Sequence, residues 1–235
     1  MDRVTSPYPA AVLWDMDGTI VDTEPLWIAA EKALVERHGG AWTDADSLAL
    51  VGSDLLVAGD YIRRRGDLPM SSAQVAEYLL GEVLDGVKAG VEWRPGAREL
   101  LTELGAAGIP CALVTMSYQV LAEAVVAQLP PGTFEAVVTG DMVANGKPHP
   151  EPYRTAAETL GIEPERHGTC VVIEDSPTGA VAGLAAGMPV LAVPNTVEVP
   201  DQQGMVVIDS LAGLRAADLW ATVTGGPGHG ANSAR

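Results

Sequence analysis

Short apolar runs that end in polar turns alternate with helical patterns along most of the chain. Residues 11–14 run into Asp15-Met16-Asp17-Gly18-Thr19, and residues 110–114 run into Thr115-Met116-Ser117. Residues 136–138 lead to Thr139-Gly140-Asp141, residues 169–173 to Glu174-Asp175-Ser176, and residues 189–193 to Pro194-Asn195. Apolar runs of this length, bounded by turn residues, predict strands buried on both faces. Between them, residues 98–107, 118–129, 151–160 and 177–186 carry apolar positions at helical spacing, and each stretch closes on Gly or Pro. Strand and helix in this rhythm predict right-handed βαβ units and an α/β fold with a parallel sheet.

Residues 24–91 break the rhythm. Residues 24–37, 44–50, 54–65 and 71–88 read as helices with no convincing strand between them. This predicts an all-helical insert after the first strand, hinged at the proline-containing stretches 22–25 and 92–95. The expected division is a catalytic α/β core of residues 1–22 and 93–222, a helical insert of 23–92 and a flexible tail of 223–235. Order is expected to fade after Ala216.

Composition narrows the partners. Hydrophobic residues make up 47% of the 235-residue chain but aromatics only 5%, so Val, Leu, Ala and Ile must build the core. The formal net charge of −17 repels polyanions, which argues against nucleic acid and anionic membranes as partners. A small phosphorylated metabolite would need a local cation or a metal to bind. Cys111 and Cys170, the only cysteines, both lie in apolar runs, which predicts buried free thiols and a cytoplasmic location. No stretch of about 20 apolar residues could span a bilayer, and residues 1–9 carry no signal-peptide pattern.

Ligands of parallel sheets bind outside the carboxyl ends of the strands. The turns expected there hold Asp15, Asp17, Thr115, Ser117, Glu174 and Asp175. Four carboxylates at one edge repel each other unless a cation joins them. Oxygen donors without His or Cys favour Mg²⁺. The D-x-D-G-T string is specific, arising by chance in roughly a few chains per thousand of this length. Gly18 allows a turn in which backbone amides face an anion. Of Asp15 and Asp17, one can attack phosphorus while the other gives and takes a proton. Lys147, one of three lysines, sits in the Pro-flanked loop Gly146-Lys147-Pro148-His149-Pro150, a rigid mount for an ammonium that reaches phosphate. His38, His149 and His167 read as loop or surface residues.

These strings, in this order, resemble the four motifs of the haloacid dehalogenase superfamily. Asp15 to Asp22 is similar to the first, Val114 to Ser117 to the second, Gly146 to Pro150 to the third, and Ile173 to Ser176 with Gly179 to the fourth. The resemblance implies a Rossmann-like three-layer core with a small helical C1-type cap inserted after the first strand. It implies that Asp15 is a nucleophile forming an aspartyl-phosphate, with Asp17 the general acid/base. Thr115 and Lys147 would hold phosphoryl oxygens, with backbone at Met16, Asp17, Gly18 and Met116 completing the cradle. Mg²⁺ would be bound by Asp15, the Asp17 carbonyl and Asp175, with Glu174 acting directly or through water. The Lys147–Pro148 peptide is expected to be cis.

The dehalogenases of that superfamily lack the second Asp, and the phosphonatases replace it, so Asp17 points to phosphoryl transfer. Asp22-Thr23-Glu24-Pro25-Leu26-Trp27 resembles the sugar-phosphatase and β-phosphoglucomutase-like branch. The mutases carry a His where this chain has Trp27, and a cap Arg where it reads Gly52-Ser53-Asp54-Leu55. Arg63, Arg64 and Arg65 are the remaining candidates to hold a second phosphate. The expected activity is therefore hydrolysis of small phosphomonoesters, with Glu24, Trp27, Ser53 and Tyr61 as candidate leaving-group contacts. A phosphomutase and a non-catalytic phospho-ligand sensor are the alternatives, and a monomer or weak homodimer is expected.

Overall fold

The structure, a computed structural model, describes residues 7–50 and 53–225. Six parallel strands form one sheet: β1 (Val12–Trp14), β4 (Cys111–Val114), β5 (Ala136–Val138), β6 (Val171–Glu174), β7 (Val190–Ala192) and β8 (Met205–Val207). Their order across the sheet is β5-β4-β1-β6-β7-β8. The chain leaves β1, builds outward through β4 and β5, then returns to the other side of β1 with β6. The direction of winding therefore changes at β1, and a crevice opens at its carboxyl end.

Strand parity sorts the core. Val12 and Trp14 join Leu113, Val171 and Ile173 in one buried cluster, while Leu13 joins Ala112, Val114, Val172 and Val190 in the other. Successive side chains leave a strand on opposite faces, so a short apolar run feeds both layers. On the second face lie α7 (Glu151–Thr159) and α8 (Pro177–Ala185), which contribute Tyr153, Ala156, Ala157, Ala180 and Ala182. On the first lie α5 (Ala97–Ala106), α6 (Gln119–Val126) and α9 (Ala216–Thr224). The result is the expected three-layer α/β core.

Helices α1 (Glu24–Arg37), α2 (Asp44–Leu48), α3 (Leu55–Arg65) and α4 (Ser72–Ala89) form the insert. Local signals start them. Thr43 and Ser71 form capping boxes with Asp46 and Gln74, and Asp54 accepts the amides of Leu56 and Val57. Leu34, Ile62, Val75, Leu79 and Val83 are buried between these helices. The apolar cluster of the insert is continuous with that of the sheet's first face.

Three features depart from the sequence reading. The ends of the insert pair as an antiparallel ribbon, β2 (Val21–Asp22) with β3 (Glu92–Trp93). Two-residue strands leave no periodicity to detect. Order does not fade after Ala216, because α9 buries Leu219 and Val223 against the core. The remainder of the expected tail, residues 226–235, lies outside the described residues. His167 is not on the surface: it is 4% exposed, in the turn that leads into β6. Cys111 and Cys170 are free and buried, as expected. Among the described residues, no helix is long and apolar enough to cross a membrane.

Candidate active site

The carboxyl ends of β1, β4 and β6, three adjacent strands, bring Asp15, Thr115 and Asp175 to one end of the sheet. Asp15 follows β1, and its amide donates to the Ile173 carbonyl of β6. Beyond it the chain turns on Gly18, whose φ of +84° favours glycine. A side chain there would also overlap the Asp175 carboxylate. Glycine thus lets the first and fourth motifs touch.

Lys147 joins the strands electrostatically. Its ammonium donates to Asp15 Oδ1 at 2.7 Å, Glu174 Oε1 at 2.6 Å and the Val114 carbonyl at 2.8 Å. Its side chain is only 4% exposed, and the Tyr153 ring centroid lies 4.8 Å from Nζ. Burial opposes its charge, yet Asp15 and Glu174 outweigh that and hold the ammonium above its ordinary range. The Lys147–Pro148 peptide is cis, as expected.

Glu174 is fully buried and saturated with donors. Oε1 accepts from Lys147 and from the Tyr153 hydroxyl at 2.8 Å. Oε2 accepts from the amides of Asp175 and Ser176 and from the Ser176 hydroxyl. Gly179 leaves the space this carboxylate fills, since a Cβ there would overlap it. Sequence reading missed the Tyr153 contact. A Tyr three residues after a Pro-flanked loop gives no signal until helix α7 turns it inward.

Asp17 is held by three hydroxyls. Thr23 donates to Oδ1 at 2.6 Å, while Thr115 and Ser117 donate to Oδ2 at 3.1 and 2.8 Å. This places Thr115 differently from the expectation. Its hydroxyl is fully buried and faces Asp17 rather than the open crevice. Ser117 and Met116 stand on the crevice wall instead. The Met16 side chain is likewise fully buried, and the Gly18 amide is engaged by the Val21 carbonyl. Among the described residues, no hydrogen bond occupies the amides of Met16, Asp17 or Met116, which leaves them as the backbone donors of the loop.

Asp15, Glu174 and Asp175 offer carboxylate oxygens all within 4.8 Å of one another. Burial, then Glu174, pushes Asp15 up to about 7. Burial, then Asp15 and Glu174, pushes Asp175 up to about 9. Lys147 alone thus leaves the cluster short of positive charge, and an oxygen-only donor set of this kind fits a hard divalent cation. With the Glu174 oxygens occupied by protein donors, Asp15 and Asp175 are the two carboxylates left to face a cation directly.

These groups floor a cavity of about 160 Å³ whose other wall comes from the helical insert. Of the residues expected to contact a leaving group, Glu24, Trp27 and Ser53 line it. Tyr61 does not: it donates to Asp46 at 3.3 Å and meets the Trp42 ring edge-on. It lies on the part of α3 that packs against α2, which period counting alone could not reveal. Glu31, Leu79 and Leu80 line the cavity without having been anticipated.

The chain matches the family model of the haloacid dehalogenase-like hydrolases over residues 9–187. It is 36% identical over 192 residues to hexitol phosphatase A of Escherichia coli (strain K12), covering 80% of this chain and 84% of that protein. The crystal structure of CbbY from Rhodobacter sphaeroides in complex with phosphate superimposes with a TM-score of 0.74 at 27% identity. That match covers 88% of this chain and 96% of that one. A β-phosphoglucomutase from Clostridium difficile shares the fold, with a TM-score of 0.75 at 22% identity, covering 92% of this chain and 98% of that one. Motif order, site geometry and these likenesses agree: the chain belongs to the haloacid dehalogenase-like hydrolases.

Proposed function

We propose that the protein is a divalent-cation-dependent phosphatase of small phosphomonoesters, sugar phosphates foremost, working through an aspartyl-phosphate. One arrangement carries the reading: Asp15 lines a cavity, one oxygen held by Lys147, with Asp17 beside it and Asp175 across the Gly18 turn. The Asp15 carboxylate attacks phosphorus, and the bond from phosphorus to the ester oxygen breaks as the protonated Asp17 carboxyl gives that oxygen its proton. Water then attacks the phosphorus, Asp17 takes the water's proton, and the acyl-phosphate bond breaks to free Asp15 and phosphate. Lys147 and the amides of Met16, Asp17 and Met116 hold the phosphoryl oxygens. Asp15, Asp175 and the Asp17 carbonyl would hold Mg²⁺, with Glu174 behind them. When bound, that ion neutralises charge developing on the phosphoryl group.

Residues 23–92 are read as a cap. Thr23, the residue before α1, bonds Asp17, so the base of the cap and the acid/base group share a contact. A cap that covers the cavity excludes bulk water during transfer.

A phosphomutase would need cations for a second phosphate. Arg63 and Arg64 pair with Asp60 at 3.1 and 2.6 Å, and Arg65 pairs with Asp46 at 2.8 Å. None of the three lines the cavity. The test is phosphate release from a panel of sugar phosphates with Mg²⁺ and with chelator. Cation-dependent release supports the reading. Conversion of glucose 1-phosphate to its isomer without phosphate release refutes it.

A further inference from the structure

Among the described residues, the cap side of the cavity carries acidic side chains and no basic ones. Among the described residues that line it, Lys147 is the one cation, and its ammonium lies at the base, between Asp15, Glu174 and the Val114 carbonyl. At the base, Lys147 answers Asp15 and Glu174 and three hydroxyls answer Asp17, while Asp175 is the carboxylate left for a cation. On the cap side no cation faces Glu24 or Glu31 among the described residues.

Glu31 is 5% exposed; its Oε2 accepts the Ser47 hydroxyl at 2.7 Å, and burial raises its carboxyl although Ser47 and Trp42 act to lower it. Glu24, about two helical turns before it on α1, has no hydrogen bond or ion pair among the described residues. Burial first, then Glu31, Asp17 and Asp22, push the Glu24 carboxyl up to about 7. Its acidic neighbours repel its charge, and among the described residues no donor is bonded to it. Beside these two acids the wall is apolar, with Trp27, Leu79 and Leu80.

We propose that Glu24 and Glu31 are specificity-determining residues that select phosphomonoesters whose leaving group is a neutral or ammonium-bearing polyol, and reject leaving groups with a carboxylate or second phosphate. The inference rests on the phosphatase reading and deepens it. Hydroxyl or ammonium donors from the leaving group fill the open acceptor sites of the two carboxylates. A leaving group with its own negative charge meets like charge in a half-buried site and leaves the acids unsatisfied. The apolar wall receives the C–H face of the same polyol.

A charge series tests this: three compounds of similar size carry the phosphate at C6 and differ chiefly in charge, 6-phosphogluconate being also open-chain. They are glucose 6-phosphate, glucosamine 6-phosphate and 6-phosphogluconate, with p-nitrophenyl phosphate as the general reporter. The expected kcat/KM for 6-phosphogluconate is at least about tenfold below that for glucose 6-phosphate, with glucosamine 6-phosphate equal to or above glucose 6-phosphate. Glu24→Gln and Glu31→Gln each narrow the gap to about threefold or less. Circular dichroism checks that the variants fold. Equal or faster turnover of 6-phosphogluconate overturns the inference, as does a ratio that neither variant moves. Cleavage of p-nitrophenyl phosphate with none of the sugar phosphates overturns it while leaving the phosphatase reading intact. Failure to cleave any of the four defeats the phosphatase reading and the inference with it.

Discussion

The Lys147 ammonium lies 2.7 Å from Asp15 Oδ1 although 132 residues separate them in the chain. The contact works because β1 and β4 are neighbours and the Lys147 loop bends back over the end of β4, where the Val114 carbonyl also accepts from the ammonium. The same Nζ bonds Glu174, so one cation locks Asp15 to the exit of β6.

Replacing Lys147 with Met should therefore cost both chemistry and stability. Loss of a buried partner leaves the Asp15 and Glu174 carboxylates uncompensated, at about 3 kcal/mol. Loss of the phosphoryl-oxygen donor should lower kcat by about a thousandfold. Urea unfolding and steady-state kinetics check the two effects separately.

Asp17→Asn should slow esters in proportion to how much their leaving group needs a proton. Alkyl phosphates should lose at least about a hundredfold in rate, and p-nitrophenyl phosphate far less, because its phenolate departs unaided. Equal slowing of both would count against the acid role.

Gly179→Ala tests the fixing of Glu174 without touching the proposed chemistry. The added methyl overlaps the Glu174 carboxylate, which must move and release Lys147 and Tyr153. A stability loss of about 1–3 kcal/mol is expected from overpacking, together with a fall in kcat at nearly unchanged KM. Wild-type kinetics in this variant would show that Glu174 does not position Lys147.

Metal and pH should be linked. Burial and neighbouring acids raise Asp15 from 3.8 to about 7 and Asp175 from 3.8 to about 9. The metal-free folded state then binds these protons more tightly than the unfolded chain. Its stability falls as pH rises from near 4 towards about 9. A divalent cation takes the ionised carboxylates and cancels the loss. The Tm gain on adding Mg²⁺ should be larger at about pH 8.5 than at about pH 6, by several degrees.

Strands β1, β4, β5, β6 and β7 were legible because they are apolar runs cut by polar turns, and the turns themselves carry the motifs. The helices of the insert were legible from their periodicity and caps. Strand β8 is only half-buried and stands at the sheet edge, so its apolar signal is weak. Helix α9 was hidden by the Gly-rich sequence that follows it. Within the site, the motifs named Asp15, Asp17, Lys147, Glu174 and Asp175. They did not show that Thr115 turns to Asp17, that Tyr153 supports Glu174, or that Tyr61 points away from the cavity. Those facts depend on side-chain direction across helices and strands distant in sequence, which no local pattern encodes.

Covalent transfer to Asp15 is the step on which the proposed function depends. Rapid quench of the enzyme during turnover, followed by borohydride reduction and peptide mass spectrometry, reads the acyl-phosphate directly. Homoserine is expected at position 15 after turnover, and none in enzyme without substrate. Reduction at another carboxyl, or turnover retained by Asp15→Asn, would contradict it.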